Sequence, residues 1–242
     1  MQKVSSLRKT IRKSFLACHL ILGILEVALS FWLRSPQGRM HRVHLWSKRM
    51  LWILGITLQT AEGEAKRCSQ KQLIVSNHIS WIDIFVINAV TPCRFVSKAD
   101  VRHWPLIGWL CANTGTLFVD RTRRHATKYI NKQMVDALHA GDQLAIFPEG
   151  TTTDGSVLLA FNASLLQPAF DAGVAVQPIT VQYQQAEKLS DAAAYIGEMS
   201  LMDSINSIAA ARGLCARVHF LAPIAIEDHT RREVAVQAEA QI

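Results

Sequence analysis

Several chemistries are excluded by what the 242-residue chain lacks. Its five cysteines, Cys18, Cys68, Cys93, Cys111 and Cys215, are odd in number, widely spaced and never arranged as Cys-x-x-Cys. That argues against a disulfide framework or a cysteine zinc site and for a reducing compartment, with each thiol a small buried apolar group. There is no Gly-x-Ser-x-Gly elbow, Walker loop, dinucleotide fingerprint or His-Glu-x-x-His. Without an elbow a covalent acyl-enzyme is disfavoured, and a histidine base acting directly on a substrate hydroxyl remains. Internal repeats and low-complexity tracts are also missing. Only 19% of residues are charged and half are apolar, so the chain is neither disordered nor fibrous. Its length suits one α/β domain or two small ones.

The net charge of +7 is unevenly distributed. Residues 1–60 carry ten Lys/Arg against the single Glu26, and residues 94–132 carry eight against Asp100 and Asp120. Residues 133–242 carry five against thirteen acidic groups. Two basic blocks call for two anionic partners or surfaces.

The first block flanks an apolar run over residues 15–33, which as a helix is roughly 28 Å long, near the thickness of a bilayer core. His19 and Glu26 sit inside it, and a carboxylate at bilayer depth costs at least ~2.5 kcal/mol. Cations on both flanks give no orientation by the positive-inside rule. A second helix is expected over residues 41–60. Together the two read as a hairpin lying in one leaflet, with its cations on anionic head groups. A single span and a soluble helical arm are the alternatives. No small-residue cleavage site follows Leu33, so a secretory signal fits poorly.

From Gln72 onward, short apolar runs alternate with helical patterns, which predicts a largely parallel sheet flanked by helices. Strands are expected over residues 73–76, 94–97, 115–119, 143–147, 175–182 and 216–221. Helices are expected over 81–90, 101–113, 125–140, 162–172 and 201–211. The chain then divides into a hairpin, residues 1–60, and an α/β domain, residues 61–242.

Chemistry-bearing residues cluster at the carboxyl ends of these strands, where open α/β sheets bind ligands. In Asn77-His78-Ile79-Ser80-Trp81-Ile82-Asp83, His78 and Asp83 would point roughly 140° apart on one helix. They pair only if His78 lies in the preceding turn, with Ser80 as N-cap and Asp83 in the first helical turn. Asp83 then orients the imidazole and leaves the other nitrogen as a general base. The plain alternative is a capping aspartate beside an ordinary loop histidine. In Phe147-Pro148-Glu149-Gly150-Thr151-Thr152, a sharp turn holds Glu149 where it can accept from a substrate hydroxyl, or leaves it solvated. The strand over 115–119 leads into Asp120-Arg121 and then Arg123, Arg124, His125 and Lys128, with Lys98 and Arg102 from the preceding unit. Such a cluster before a helix suits a phosphate, or forms a solvated face. Val176-Gln177-Pro178-Ile179 reads as an edge strand, since proline lacks a ladder donor. Trp104, Ile107, Trp109 and Leu110 could line an acyl tunnel, although an apolar helix face is more often core.

In this order the four blocks resemble the glycerolipid acyltransferase family typified by bacterial 1-acyl-glycerol-3-phosphate acyltransferase, over residues 72–183. The resemblance implies that family's fold, with His78 as general base and Asp83 as its partner. It implies Arg121 on the acceptor phosphate, beside which the basic cluster sets Lys98 as a further substrate-binding residue, and Glu149, Gly150 and Thr151 on its glycerol portion. Residues 176–179 would lie on the acyl side, although Gln177 departs from many members. The implied reaction transfers a fatty acyl group from acyl-CoA or acyl-ACP to 1-acyl-glycerol-3-phosphate, giving phosphatidic acid, with no metal or cofactor beyond that co-substrate. The implied place is the cytoplasmic face of the inner membrane. Another lysolipid acceptor, such as lyso-ornithine lipid, keeps the same chemistry. A thioester hydrolase and a non-enzymatic membrane adaptor are rival readings, and nucleic acid is not expected as a partner.

Overall fold

The computed structural model describes residues 4–61, 72–119 and 124–242. Its first helix, α1 (Ser6–Ser30), begins where the Ser5 hydroxyl accepts the Arg8 N–H, and ends in a single 3-10 turn, Phe31–Leu33. Ser35 repeats this cap for α2 (Pro36–Leu54), whose first residue is a proline that needs no intrahelical donor. The expected hairpin is present, but α2 stops six residues short of Thr60. Gly55 turns left-handed at φ 73° and returns its N–H to the carbonyls of Leu51 and Trp52. Ile56–Thr60, rich in β-branched residues, then forms strand β1 instead of continuing the helix.

The remaining elements alternate. They are β2 (Leu73–Ser76), α3 (Asp83–Val90), β3 (Arg94–Lys98), α4 (Ile107–Asn113), β4 (Leu117–Val119), α5 (Arg124–His139), β5 (Leu144–Ile146), α6 (Gln167–Ala172), β6 (Val176–Gln185), β7 (Lys188–Leu189), α7 (Leu201–Ala210), β8 (Leu214–Phe220) and α8 (Arg231–Gln241). One sheet runs in the order β1-β8-β6-β2-β5-β3-β4, with β7 paired to the end of β6. From β6 to β4 every pairing is parallel; β8 runs antiparallel to β6, and β1 lies parallel to β8. The expected mixed, largely parallel sheet flanked by helices is therefore what the chain forms.

Alternate strand residues feed two cores. Ile74, Phe95, Ala145, Ile179, Val181 and Tyr183 pack with apolar residues of α1, α2, α3 and α7. Leu73, Val75, Leu117, Leu144, Ile146 and Val176 pack with α5, α6 and α8 on the other face.

Three local expectations change. The helix expected over 101–113 is broken by Pro105, which holds Trp104 extended between a 3-10 turn, Ala99–His103, and α4. Trp104, Leu106 and Trp109 are each at least 40% exposed, so this segment is not core. Residues 176–179 form no edge: β6 lies between β2 and β8. Here Leu221 N–H bonds the Pro178 carbonyl at 3.0 Å, while the Leu221 carbonyl, which would have faced a Pro178 N–H, takes the Gln177 side-chain amide at 2.8 Å. Gln177 thus supplies the donor that proline lacks. Finally, α8 was not anticipated, although Thr230 and Glu233 form a capping box readable as Thr-x-x-Glu.

The hairpin grips the sheet domain. Arg12 donates to the carbonyls of Ala209 and Ala211 at 3.0 and 2.9 Å, and Lys13 to Asn206. His19 stacks on Trp46 with centroids 4.4 Å apart, and the carboxylate of Glu26 takes both Arg42 and Arg34. Trp46 in turn meets Phe85, and His44 bonds the Asn88 carbonyl, so α2 lies along α3. On the opposite side Leu29, Trp32, Leu33 and Trp52 are each more than two-thirds exposed.

Candidate active site

Strand β2 ends at Ser76, and the next side chain continues its ladder. Asn77 donates to the Val181 carbonyl at 2.9 Å and accepts the Val181 N–H at 2.8 Å, so its side chain satisfies the β6 backbone just past the end of the ladder. His78 can then leave the sheet at a defined point while β6 projects past it.

His78 lies in the turn before α3, and its Nδ1 is 2.9 Å from Asp83 Oδ2. The same oxygen accepts the N–H of Ile79 at 2.7 Å and of Ser80 at 2.9 Å. The expected side-chain cap by Ser80 is not formed: the helix cap is Ile82, and the buried Ser80 hydroxyl lacks a partner among the described residues. Instead the carboxylate of Asp83 satisfies the turn, so the residue that pairs with the histidine also fixes the loop carrying it. The other oxygen, Oδ1, accepts the hydroxyl of Tyr183 at 2.6 Å. Asp83 is fully buried and Tyr183 is 1% exposed.

Phe147, just past β5, stacks against the His78 ring with centroids 3.8 Å apart and planes 8° from parallel; Phe95 lies behind it at 5.8 Å. With Nδ1 on Asp83 and one face on Phe147, His78 keeps its side chain 19% exposed, and Nε2 carries no hydrogen bond among the described residues. A carboxylate on Nδ1 leaves Nε2 unprotonated in the neutral ring, available to take a proton.

Glu149 sits in the turn closed by Gly150 N–H on the Phe147 carbonyl at 3.1 Å, with Gly150 at φ 74°. Its Oε1 accepts the His78 N–H at 2.7 Å and its Oε2 the Leu159 N–H at 2.9 Å. Glu149 thus braces the histidine's backbone, where the sequence suggested a contact to substrate. Burial raises its pKa, and those two N–H donors oppose the rise. Beyond it, Thr153 N–H meets the His78 carbonyl and Tyr195 N–H meets the Ile79 carbonyl, while Thr152 donates to the Tyr195 carbonyl. Thr151 stays exposed at the turn.

The second basic block lies further along the same sheet edge. Order β2-β5-β3-β4 puts Lys98, exposed at the end of β3, two strand spacings from β2, and the end of β4 three spacings away, roughly 14 Å. Arg102 lies over the Phe118 ring at 5.8 Å. Arg121 lies outside the described residues.

The acyltransferase family model matches residues 58–182, just over half of the chain. This chain belongs to the acyltransferase family. It is 38% identical over 197 residues to the lyso-ornithine lipid O-acyltransferase of Pseudomonas aeruginosa, covering 81% of this chain and 75% of that one. To the 1-acyl-sn-glycerol-3-phosphate acyltransferase of Neisseria meningitidis it is 31% identical over 186 residues, covering 77% and 72%. Its fold is shared with the crystal structure of the 1-acyl-sn-glycerophosphate (LPA) acyltransferase PlsC of Thermotoga maritima, at a TM-score of 0.65 over 96% of this chain and 95% of that one, with 18% identity. As a family member the chain is an O-acyltransferase. His78, Asp83 and Glu149 fall inside the matched segment, and Tyr183 lies one residue beyond it. Sequence reasoning missed Tyr183; its one signal was a phenol in step with Ile179 and Val181 on a buried strand face.

Proposed function

We propose that this acyltransferase moves a fatty acyl group from an acyl thioester, acyl-CoA or acyl-ACP, to the free hydroxyl of a lysolipid. The observation that carries the reading is His78, with Nδ1 tied to buried Asp83 and Nε2 open. Nε2 takes the hydroxyl proton as the oxygen attacks the thioester carbon. The tetrahedral adduct then collapses with cleavage of the C–S bond, and the proton passes from Nε2 to the departing sulfur. An ester and a free thiol result, with His78 returned to its neutral form.

For the acceptor we place lyso-ornithine lipid first, because the Pseudomonas relative shares 38% identity against 31% for the Neisseria enzyme. The second reading, 1-acyl-glycerol-3-phosphate, is favoured by Lys98 and the basic run Arg121 to Lys128, which suit a phosphomonoester. The test incubates the full chain in lipid vesicles with labelled acyl-CoA or acyl-ACP and each lysolipid. Turnover of lyso-ornithine lipid at least tenfold above lysophosphatidic acid supports the first reading; the reverse ratio supports the second. Fatty acid release with neither acceptor used overturns both.

We further place the enzyme on the cytoplasmic face of the cell membrane. One helix, with its 3-10 end at Leu33, is long and apolar enough to cross a bilayer. Its first turns, however, are held on α7 by Arg12 and Lys13, and the carboxylate of Glu26 is neutralised within the hairpin by Arg42 and Arg34. That supports a hairpin lying in one leaflet over a span. Its exposed Leu29, Trp32, Leu33 and Trp52 would enter the interface.

A further inference from the structure

We propose that Tyr183 is a positioning residue of the acyl-transfer site, its hydroxyl anchoring one oxygen of the buried Asp83 carboxylate so that the other stays aimed at His78. The proposal rests on the reading of His78 as general base.

The two oxygens of Asp83 are served unequally. Oδ2 accepts three donors, His78 Nδ1 and the N–H groups of Ile79 and Ser80, all from its own loop. Among the described residues Oδ1 has Tyr183 alone, from a strand one hundred residues away in sequence. Neither residue reaches solvent, so water cannot substitute for a lost partner. Loop donors alone fix where the carboxylate sits but leave half of its charge in an apolar core with Val181, Ile82 and Val86. The phenol is suited to that position because it stays a donor. Burial, the charge of Asp83 and the hydrogen bond to it together hold the Tyr183 hydroxyl well above its ordinary pKa.

Placement by β6 explains how a strand residue reaches a helix terminus. The β2 ladder on β6 ends at Ser76 opposite Ile179, and the Asn77 side chain extends it to Val181. Tyr183 is the next residue on the same face, and it comes level with the first turn of α3. The strand that closes the ladder therefore also carries the donor that completes the Asp83 shell.

Other ionisable groups lie on the elements packed around the relay. Glu149 bonds the His78 N–H, and His44 on α2 bonds the Asn88 carbonyl. Lys48 and Arg49 follow on α2, and Asp203 at the start of α7 bonds Ser200. On β8, Arg217 is held by Gln59 and Glu187, and His219 lies opposite Thr180. Among the described residues, only His78 and Tyr183 hydrogen-bond the Asp83 carboxylate through their side chains.

Removing the hydroxyl raises the proton affinity of the His78–Asp83 pair. A carboxylate without its Oδ1 donor pulls harder on the imidazolium proton, and its own protonation also becomes easier. Both effects move the acidic limb of the rate profile to higher pH. The experiment measures kcat, KM for the lysolipid, and the pH profile for wild type, Tyr183→Phe, and a chain carrying 3-fluorotyrosine at 183, with His78→Ala as control.

Tyr183→Phe is expected to keep KM and a cooperative thermal transition, to shift the acidic limb up by about one unit, and so to lose about tenfold in kcat below the limb with little loss on the plateau. The fluorinated phenol, a stronger donor of nearly unchanged shape, is expected to shift the limb down. A limb that stays put in both variants, or a uniform loss at every pH, overturns the proposal and makes Tyr183 a packing residue. If Tyr183→Phe does not fold, the fluorinated chain alone decides by the sign of its shift. Full transfer by His78→Ala would sink the general-base reading itself, an outcome separate from any shift at position 183.

Discussion

Around His78 the chain hides its polar atoms, whereas along α1 and α2 it exposes its apolar ones. At the site, Asp83 is fully buried and takes four hydrogen bonds, and both oxygens of Glu149 are engaged by backbone. On the hairpin, the inner face is as well packed as any core, through Leu16, Met50, Leu51 and Leu54, while Trp32 and Trp52 stand out into the surroundings. The two regions touch, since Trp46 of α2 meets Phe85 of α3. The difference teaches that polarity alone does not say what a residue is for. A buried carboxylate is tolerable because its donors are prearranged, and an exposed tryptophan is tolerable where the surroundings are apolar.

The comparison breaks most sharply if either region can do the other's work. Replacing His78 with Ala is expected to lower acyl transfer by about 10² to 10⁴-fold, as loss of a general base does. Binding to anionic vesicles, measured by sedimentation, should be unchanged; a parallel loss of binding would show that the site and the hairpin are not separable. Next in size, the double change Trp32→Ser and Trp52→Ser should weaken vesicle binding on the order of tenfold, by removing apolar area from the interface. Transfer to detergent-dispersed lysolipid should be retained, and equal loss in both assays would refute the division. Smaller still, Gly23→Ala places a Cβ 2.6 Å from Trp46 Nε1 and must displace that ring or part the two helices. A loss of about 1–3 kcal/mol is expected in chemical denaturation, as for other overpacked contacts. No change there would mean that the hairpin adds nothing to the stability of the domain.

Much of the site was legible before folding, for a physical reason that can be named. Strand ends in parallel α/β sheets converge, so His78, Glu149 and the run from Gly115 could be placed on one edge from sequence order alone. The spacing of His78 and Asp83 allowed them to pair through a turn but left a capping aspartate beside a loop histidine equally open; the fold brings the two together at 2.9 Å. What spacing could not reveal was which atoms satisfy the turn. Ser80 was the expected cap, and the carboxylate of Asp83 took that part instead. Nor could sequence show that Glu149, read as a substrate contact or a solvated turn residue, also braces the His78 backbone. The end of α2 was readable at Gly55, yet the apolar pattern of Ile56 and Leu58 continued the helix plausibly enough to hide β1, because a five-residue run fits either period.

By itself the sequence determined the alternation of elements, the hairpin before them, a spacing that permits a His78–Asp83 pair and the division of positive charge into two blocks, since each depends on composition or on contacts close along the chain. Only the tertiary structure decided the neighbours of β6, the role of Gln177 beside Pro178, the bracing by Glu149 and the reach of Tyr183 to Asp83. Those are contacts between segments up to a hundred residues apart, and they exist because sheet order sets which strand ends lie side by side. Local pattern specifies that a strand forms; its neighbours, and so the partner of a buried carboxylate, are settled when the whole sheet packs.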